Sequence, residues 1–255
     1  MSCELMPAYP ILRNAPIVEA IVDVRVFQDV DFSPDRLKLG VGQLGDAYTE
    51  VREKRVIQSR FEHRDSEVLP SVETKDGGLS GVHYGQGNGQ QIIQFNRDGY
   101  IFNRLKPYVD WESTRFASAE GWGTYKELVK PVSISRIGLR YINKIPFNLS
   151  REDPGAFVNL HYLIPEGIGG VRLEGFVYQT VIQCPERRLS ARYTLAREKT
   201  VDPNEFSLII DLDVFSDVNE LVDQCDPFDK LELMRGFKND LFFKSLTDKG
   251  VARFR

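Results

Sequence analysis

Apolar and polar residues alternate along Ile17–Phe27 (IVEAIVDVRVF): Val18, Ala20, Val22, Val24 and Val26 fill one face, and Glu19, Asp23 and Arg25 interrupt the other. A period of two is that of a half-buried strand. The same pattern returns near mid-chain in Val132–Phe147 (VSISRIGLRYINKIPF), where Ile137, Leu139 and Tyr141 share one face. Arg136, Arg140 and Lys144 share the other, with Gly138 between them. This predicts a sheet with one apolar and one strongly polar face.

Between these strands the period changes. Ser33-Pro34-Asp35 has the residues of a helix start, and Leu37, Val41, Leu44, Tyr48 and Val51 continue it as an apolar stripe. Gly40, Gly42 and Gly45 weaken that helix. A strand from Arg55 to about Glu62, a polar loop from Pro70 to Gly81 and a meander from Val82 to Leu105 follow, the meander turning at Asn88-Gly89 and Asp98-Gly99. Asp110 caps the next helix, whose bulk is Trp111, Phe116, Ala119, Trp122 and Leu128, with Gly121 and Gly123 as expected points of bending.

After the central strand the order repeats. Asp153-Pro154 opens a helix, strands follow near Leu173–Cys184, Leu189–Ala196 and Phe206–Phe215, and a last helix runs from Asp226-Pro227 to about Phe243. Its stripe is Leu231, Met234, Leu241, Phe242 and Leu246. Pro16 and Pro131, and likewise Asp110 and Asp226, stand at nearly equal separations. The expected fold is α+β: two tandem β-α-β-β-β-α units, residues 1–130 with an arm at 1–14 and residues 131–255. They would form one curved antiparallel sheet with helices on one face and the two opening strands side by side.

Three segments, NAPIVEAIVDVRV (Asn14–Val26), GYIFNRLKPYVDW (Gly99–Trp111) and RIGLRYINKI (Arg136–Ile145), together resemble an uncharacterised, sporadically distributed bacterial family of about this length. The match extends over nearly the whole chain, to FFKSLTDKG near its C-terminal end. The resemblance assigns no catalytic residue. The twin-unit sheet is also similar to the TATA-binding-protein-type saddle, a likeness of fold that transfers no DNA binding.

Composition narrows the function classes. With 42% hydrophobic and 27% charged residues and a net charge of −4, the chain is expected to be globular, without whole-molecule attraction to nucleic acid or an anionic membrane. Cys3, Cys184 and Cys225 are too few and too scattered for a disulfide framework or zinc cluster. With no signal-like start and no long apolar run, a soluble cytoplasmic protein that does not enter the membrane is expected. P-loop and dinucleotide signatures are missing, and Gly85–Gly89 reads as a hairpin. His63, His83 and His161 have no zinc spacing, and Asp211, Asp213, Asp217 and Asp223 read as a solvated face, so no metal and no cofactor are expected. Cys225, at a helix start but beside Asp223 and Asp226, reads as structural.

The site candidate is a set of cations. Arg136, Arg140, Lys144 and Arg104, helped by Asn103 and Asn143, could line an anion-binding face, with Glu19 or Asp23 as acid or base. The structural alternative is a cross-strand lattice in which these cations pair with Glu19 and Asp23. Three functions follow. The first is a non-catalytic binding or assembly module, such as a homodimer or the partner of another protein, using the polar sheet face or the last helix. The second is an enzyme acting on a small anionic substrate. The third is nucleic-acid binding through Lys244, Lys249, Arg253 and Arg255.

Overall fold

The computed structural model describes residues 9–62, 71–159, 175–202 and 204–255. Nine strands form one antiparallel sheet: β1 (Ile17–Phe27), β2 (Glu50–Glu62), β3 (Ser71–Gly85), β4 (Gln91–Asn96), β5 (Gly99–Leu105), β6 (Ser133–Asn148), β7 (Val177–Cys184), β8 (Leu189–Lys199) and β9 (Glu205–Leu221). Their spatial order is β2-β3-β4-β5-β1-β6-β9-β8-β7, so β1 and β6 meet near the centre. Val22 faces Phe102 of β5 on one side and Leu139 of β6 on the other.

Alternation sorts the side chains as the pattern predicts. Ala20, Val22, Val24, Ile137, Leu139 and Tyr141 are at most 1% exposed and share one core with α1 (Trp111–Val129) and α2 (Pro227–Lys244). Both long helices therefore cover the same face. A second cluster around Ile145, Phe147, Leu208 and Phe242 continues the core toward α3 (Asp248–Ala252), a short helix the sequence did not announce. Asp110 accepts a hydrogen bond from Ser113 N and Asp226 from Phe228 N, the caps expected for α1 and α2. α1 runs unbroken through Gly121 and Gly123, and at Gly121 the Tyr100 hydroxyl takes the space a Cβ would need.

Several elements differ from expectation. The helix expected from Ser33 is only a 3-10 segment, Pro34–Gly40, and Ser33 makes no side-chain cap. Val41 is already extended, and positive φ at Gly42 and Gly45 keeps the chain out of helical conformation beyond it. Leu37 is buried, whereas Val41 and Val51 are exposed. Asp153 accepts from Gly155 N, but the 3-10 helix after it is only Pro154–Ala156. Phe116 lies outside the core at 66% exposed. The polar stretch expected as a loop from Pro70 is strand from Ser71 onward, because β2 supplies backbone partners along its length; Pro70 lies outside the described residues. β4 pairs only with Gly81–Gly85, so the earlier part of β3 pairs with β2 alone. Among the described residues the first half thus holds five strands and the second four; the expected strand start at Leu173 lies outside them.

Leu139 lies between Val22 and Val214 and is fully buried. Leu139→Ala is expected to cost about 2–5 kcal/mol of unfolding free energy, read by urea denaturation; a loss under about 1 kcal/mol would mean that this contact is not central.

Candidate functional site

The face that α1 and α2 leave uncovered carries an ordered set of charges. Arg136 leans over Gly138, where a Cβ would stand 2.9 Å from its guanidinium. From there it donates to Asp23 Oδ2 at 2.7 Å and to both oxygens of Asp213 at 3.1 Å, with the Phe215 ring 4.7 Å away. Arg140 grips Asp211 with two hydrogen bonds of 2.8 and 2.6 Å. Arg192 adds a contact to Asp213 at 3.3 Å, Arg25 joins Asp23 to Asp98, and Lys144 pairs with Glu198. Glu19 accepts from Asn103, which accepts in turn from Gln94.

The arrangement is the cross-strand lattice. The acids around Arg136 and Arg140 are Asp23, Asp211 and Asp213, with Asp98 and Glu198 farther out, while Glu19, expected among them, bonds an amide. Burial raises the Asp23 pKa despite the neighbouring Arg25 and Arg136 guanidiniums, and the Asp213 carboxylate adds to the rise. The hydrogen bonds to Asp211 hold Arg140 charged.

Two members of the expected cation site lie elsewhere. Arg104 faces Ala20, on the helix side, and is 7% exposed. There it donates to Ser113 O at 3.4 Å and meets the Gln91 side-chain oxygen at 2.7 Å, with the Gln91 nitrogen toward Tyr48. Asn143 has the parity of Leu139 and Tyr141, is 2% exposed and donates to Ile210 O at 3.0 Å. Neither can join Arg136 and Arg140, because successive strand residues point to opposite faces.

Asn143 instead lines a cavity of about 300 Å³ on the helix side. Its walls are the arm from Tyr9 to Ile17, the approach to α1 (Tyr108–Glu112), β6 and α2. The arm is held by stacking of Tyr9 on Phe243 at 4.5 Å, by the Tyr9 hydroxyl donating to Asp240 at 2.6 Å, and by Asn14 N donating to Phe254 O at 3.0 Å.

Lys238 lines this chamber at 9% exposure, and no carboxylate among the described residues pairs with it. Its Nζ donates to Asn239 Oδ1 at 2.6 Å and lies 4.1 Å from the centre of the Tyr141 ring. The Tyr141 hydroxyl is 3.1 Å from that of Tyr108. Burial, reinforced by the positive charge of Arg235, lowers the Lys238 pKa to about 7. Burial raises the pKa of both tyrosines, so they stay protonated at neutral pH. Arg235 also lines the chamber, over the Trp111 ring and 3.6 Å from Glu232. Sequence reasoning missed Lys238, though it stands on the stripe between Met234 and Leu241, where an apolar residue is expected.

The remaining candidates have structural settings. Burial, then hydrogen bonding to Glu220, raises the Cys225 thiol to about 11, opposite to activation. His83 has a buried Nε2 without a partner; His63, His161 and Cys3 lie outside the described residues. No group of three or more potential metal-ligating side chains occurs among the described residues. Arg253 bonds Glu152 and Pro146 O, and Lys249 sits over the Phe157 ring, so part of the basic tail is packed against the body. No described helix is long and apolar enough to cross a membrane. No protein-family model matches the chain, and no curated protein matches it.

Arg136→Ala leaves Asp23 and Asp213 half-buried without their shared cation. The expected loss is about 1–3 kcal/mol near neutral pH, shrinking on acidification as Asp23, whose pKa burial already raises, takes up a proton; a deficit that does not vary with pH in denaturant titrations would rule out this coupling. For Lys238 the folded pKa is below the unfolded one, so from about 7 up to the ordinary lysine value the unfolded chain holds more protons and stability rises with pH. The slope cannot exceed about 1.4 kcal/mol per pH unit. Lys238→Met should be more stable than wild type near pH 7, and the difference should narrow toward pH 9–10, measured by denaturation across that range (about 7 to 10). Parallel pH curves for the two proteins would place Lys238 in water.

Proposed function

We propose that this chain is a binding protein for a small organic anion, taken up in the chamber over Tyr141. The observation that carries the reading is Lys238, a buried amine facing a cavity with no counter-ion among the described residues. An unpaired buried cation is costly, and an anionic ligand would remove that cost on binding. Arg235 at the chamber wall supports the same charge preference. The anion preference expected at Arg136 and Arg140 thus moves to the opposite side of the sheet. The uncovered face, whose cations already hold carboxylates, serves this reading as a scaffold.

The tandem-unit reading belongs to the same proposal. Running outward from the β1–β6 pair, β5-β4-β3 on one side answers β9-β8-β7 on the other, with β2 as an extra edge strand. α1 follows β5 and α2 follows β9. On this reading the chamber sits where the two units join, taking Tyr108 and Trp111 from the first and Tyr141, Arg235 and Lys238 from the second. Junctions of this kind are common ligand sites.

Glycolate and malonate, titrated against the protein by calorimetry, test the reading. At least one should bind wild type about tenfold or more tightly than Lys238→Met, roughly the 1.4 kcal/mol of one charge-assisted contact. Affinity should fall as pH rises through about 7 and Lys238 loses its proton, and Arg140→Ala should bind as wild type does. Equal binding by wild type and Lys238→Met would overturn the reading, as would loss of binding in Arg140→Ala alone.

A further inference from the structure

We propose that Lys238 is a nucleophilic amine that forms an imine with the aldehyde or ketone group of a small carboxylate. The inference rests on the anion-binding reading above and names its ligand class. A lysine that serves only as a charge finds a carboxylate or extends to solvent. Lys238 does neither: it is 9% exposed, its hydrogen-bond acceptor is a neutral amide, and its Nζ faces the Tyr141 ring. A desolvated lysine beside another cation is the usual setting of an amine that attacks carbonyls, and Arg235 is that cation here.

The chamber holds the other groups the reaction needs. Tyr108 lines it and touches the Tyr141 hydroxyl, so a protonated phenol and the amine meet the same ring. Arg235 on α2 and Arg13 on the arm also line it and can receive a carboxylate, while Asp110 and Glu112 are the acids on its wall. Asp110 is occupied as the cap of Ser113 N. In the reaction the neutral Nζ adds its lone pair to the carbonyl carbon, and a proton passes from nitrogen to the new alkoxide. Tyr108 then protonates that hydroxyl, which leaves as water while the C=N bond forms; the second nitrogen proton is retained or returned to the phenolate. One water is released, and nothing is oxidised or reduced.

The test uses the full chain, with glyoxylate as the carbonyl probe and glycolate as the matching anion without a carbonyl. Wild type is incubated with glyoxylate and cyanoborohydride near pH 7 (about the Lys238 value), digested and mapped by mass spectrometry. Expected is a gain at Lys238 equal to the probe's mass less one oxygen atom, faster than at exposed lysines, and suppressed by glycolate. Tyr108→Phe should slow trapping about tenfold or more; trapping at the wild-type rate would overturn its role as proton donor. If glycolate binds by calorimetry but Lys238 stays unmodified, the imine is overturned and anion binding stands. Adducts at exposed lysines only, with binding of neither glycolate nor malonate, overturn both. A Lys238 adduct that glycolate does not suppress overturns the carboxylate class. Wild type alone decides these outcomes, so none depends on a variant that folds poorly.

Discussion

The antiparallel pairing of β1 with β6 is the constraint on which the rest of the molecule depends. It joins strands more than a hundred residues apart (about 115 by position) from Ile17 to Phe27, and it fixes which face each neighbouring strand presents. A slip of one residue would exchange the two faces. Val22 and Leu139 would then turn toward Asp23 and Arg136, which no helix covers. The continuous apolar side, the charge lattice and the position of Tyr141 under α2 therefore share one registration.

That registration was legible in part. Both central strands alternate cleanly, and their opening residues suggested that they lie side by side, so the apolar face and the exposed placement of Arg136 and Arg140 could be read from sequence. The same alternation, applied strictly, excludes Asn143 and Arg104 from that group; grouping them by chemistry alone overlooked it. The region after Ser71 was opaque for a different reason. Its composition is that of a loop, and what makes it a strand is a distant partner, β2. Near Ser33 the starting position with Pro34 was legible, but Ser33 makes no side-chain cap and a start signal does not fix length: the turn ends at Gly40, and Gly42 and Gly45 keep the chain out of helix after it.

Lys238 shows how a buried group can be hidden by its surroundings. Leu231, Met234 and Leu241 define a stripe whose interruption by one lysine reads as noise, since long charged side chains often extend from such positions to water. Here the side chain stays inside, 9% exposed, with its Nζ against the Tyr141 ring. Burial there lowers its pKa to about 7. The sheet face shows the reverse: its charges are conspicuous in the sequence, yet Arg136 and Arg140 are held by carboxylates of neighbouring strands and contribute order more than reactivity.

The backbone bond from Asn14 to Phe254 has a practical side. Arg13, Ala15 and Pro16 flank that bond and form part of the chamber wall, so the final residues act as a buttress for a compartment they never touch. Loosening Phe254 would therefore shift a wall of the compartment from outside it.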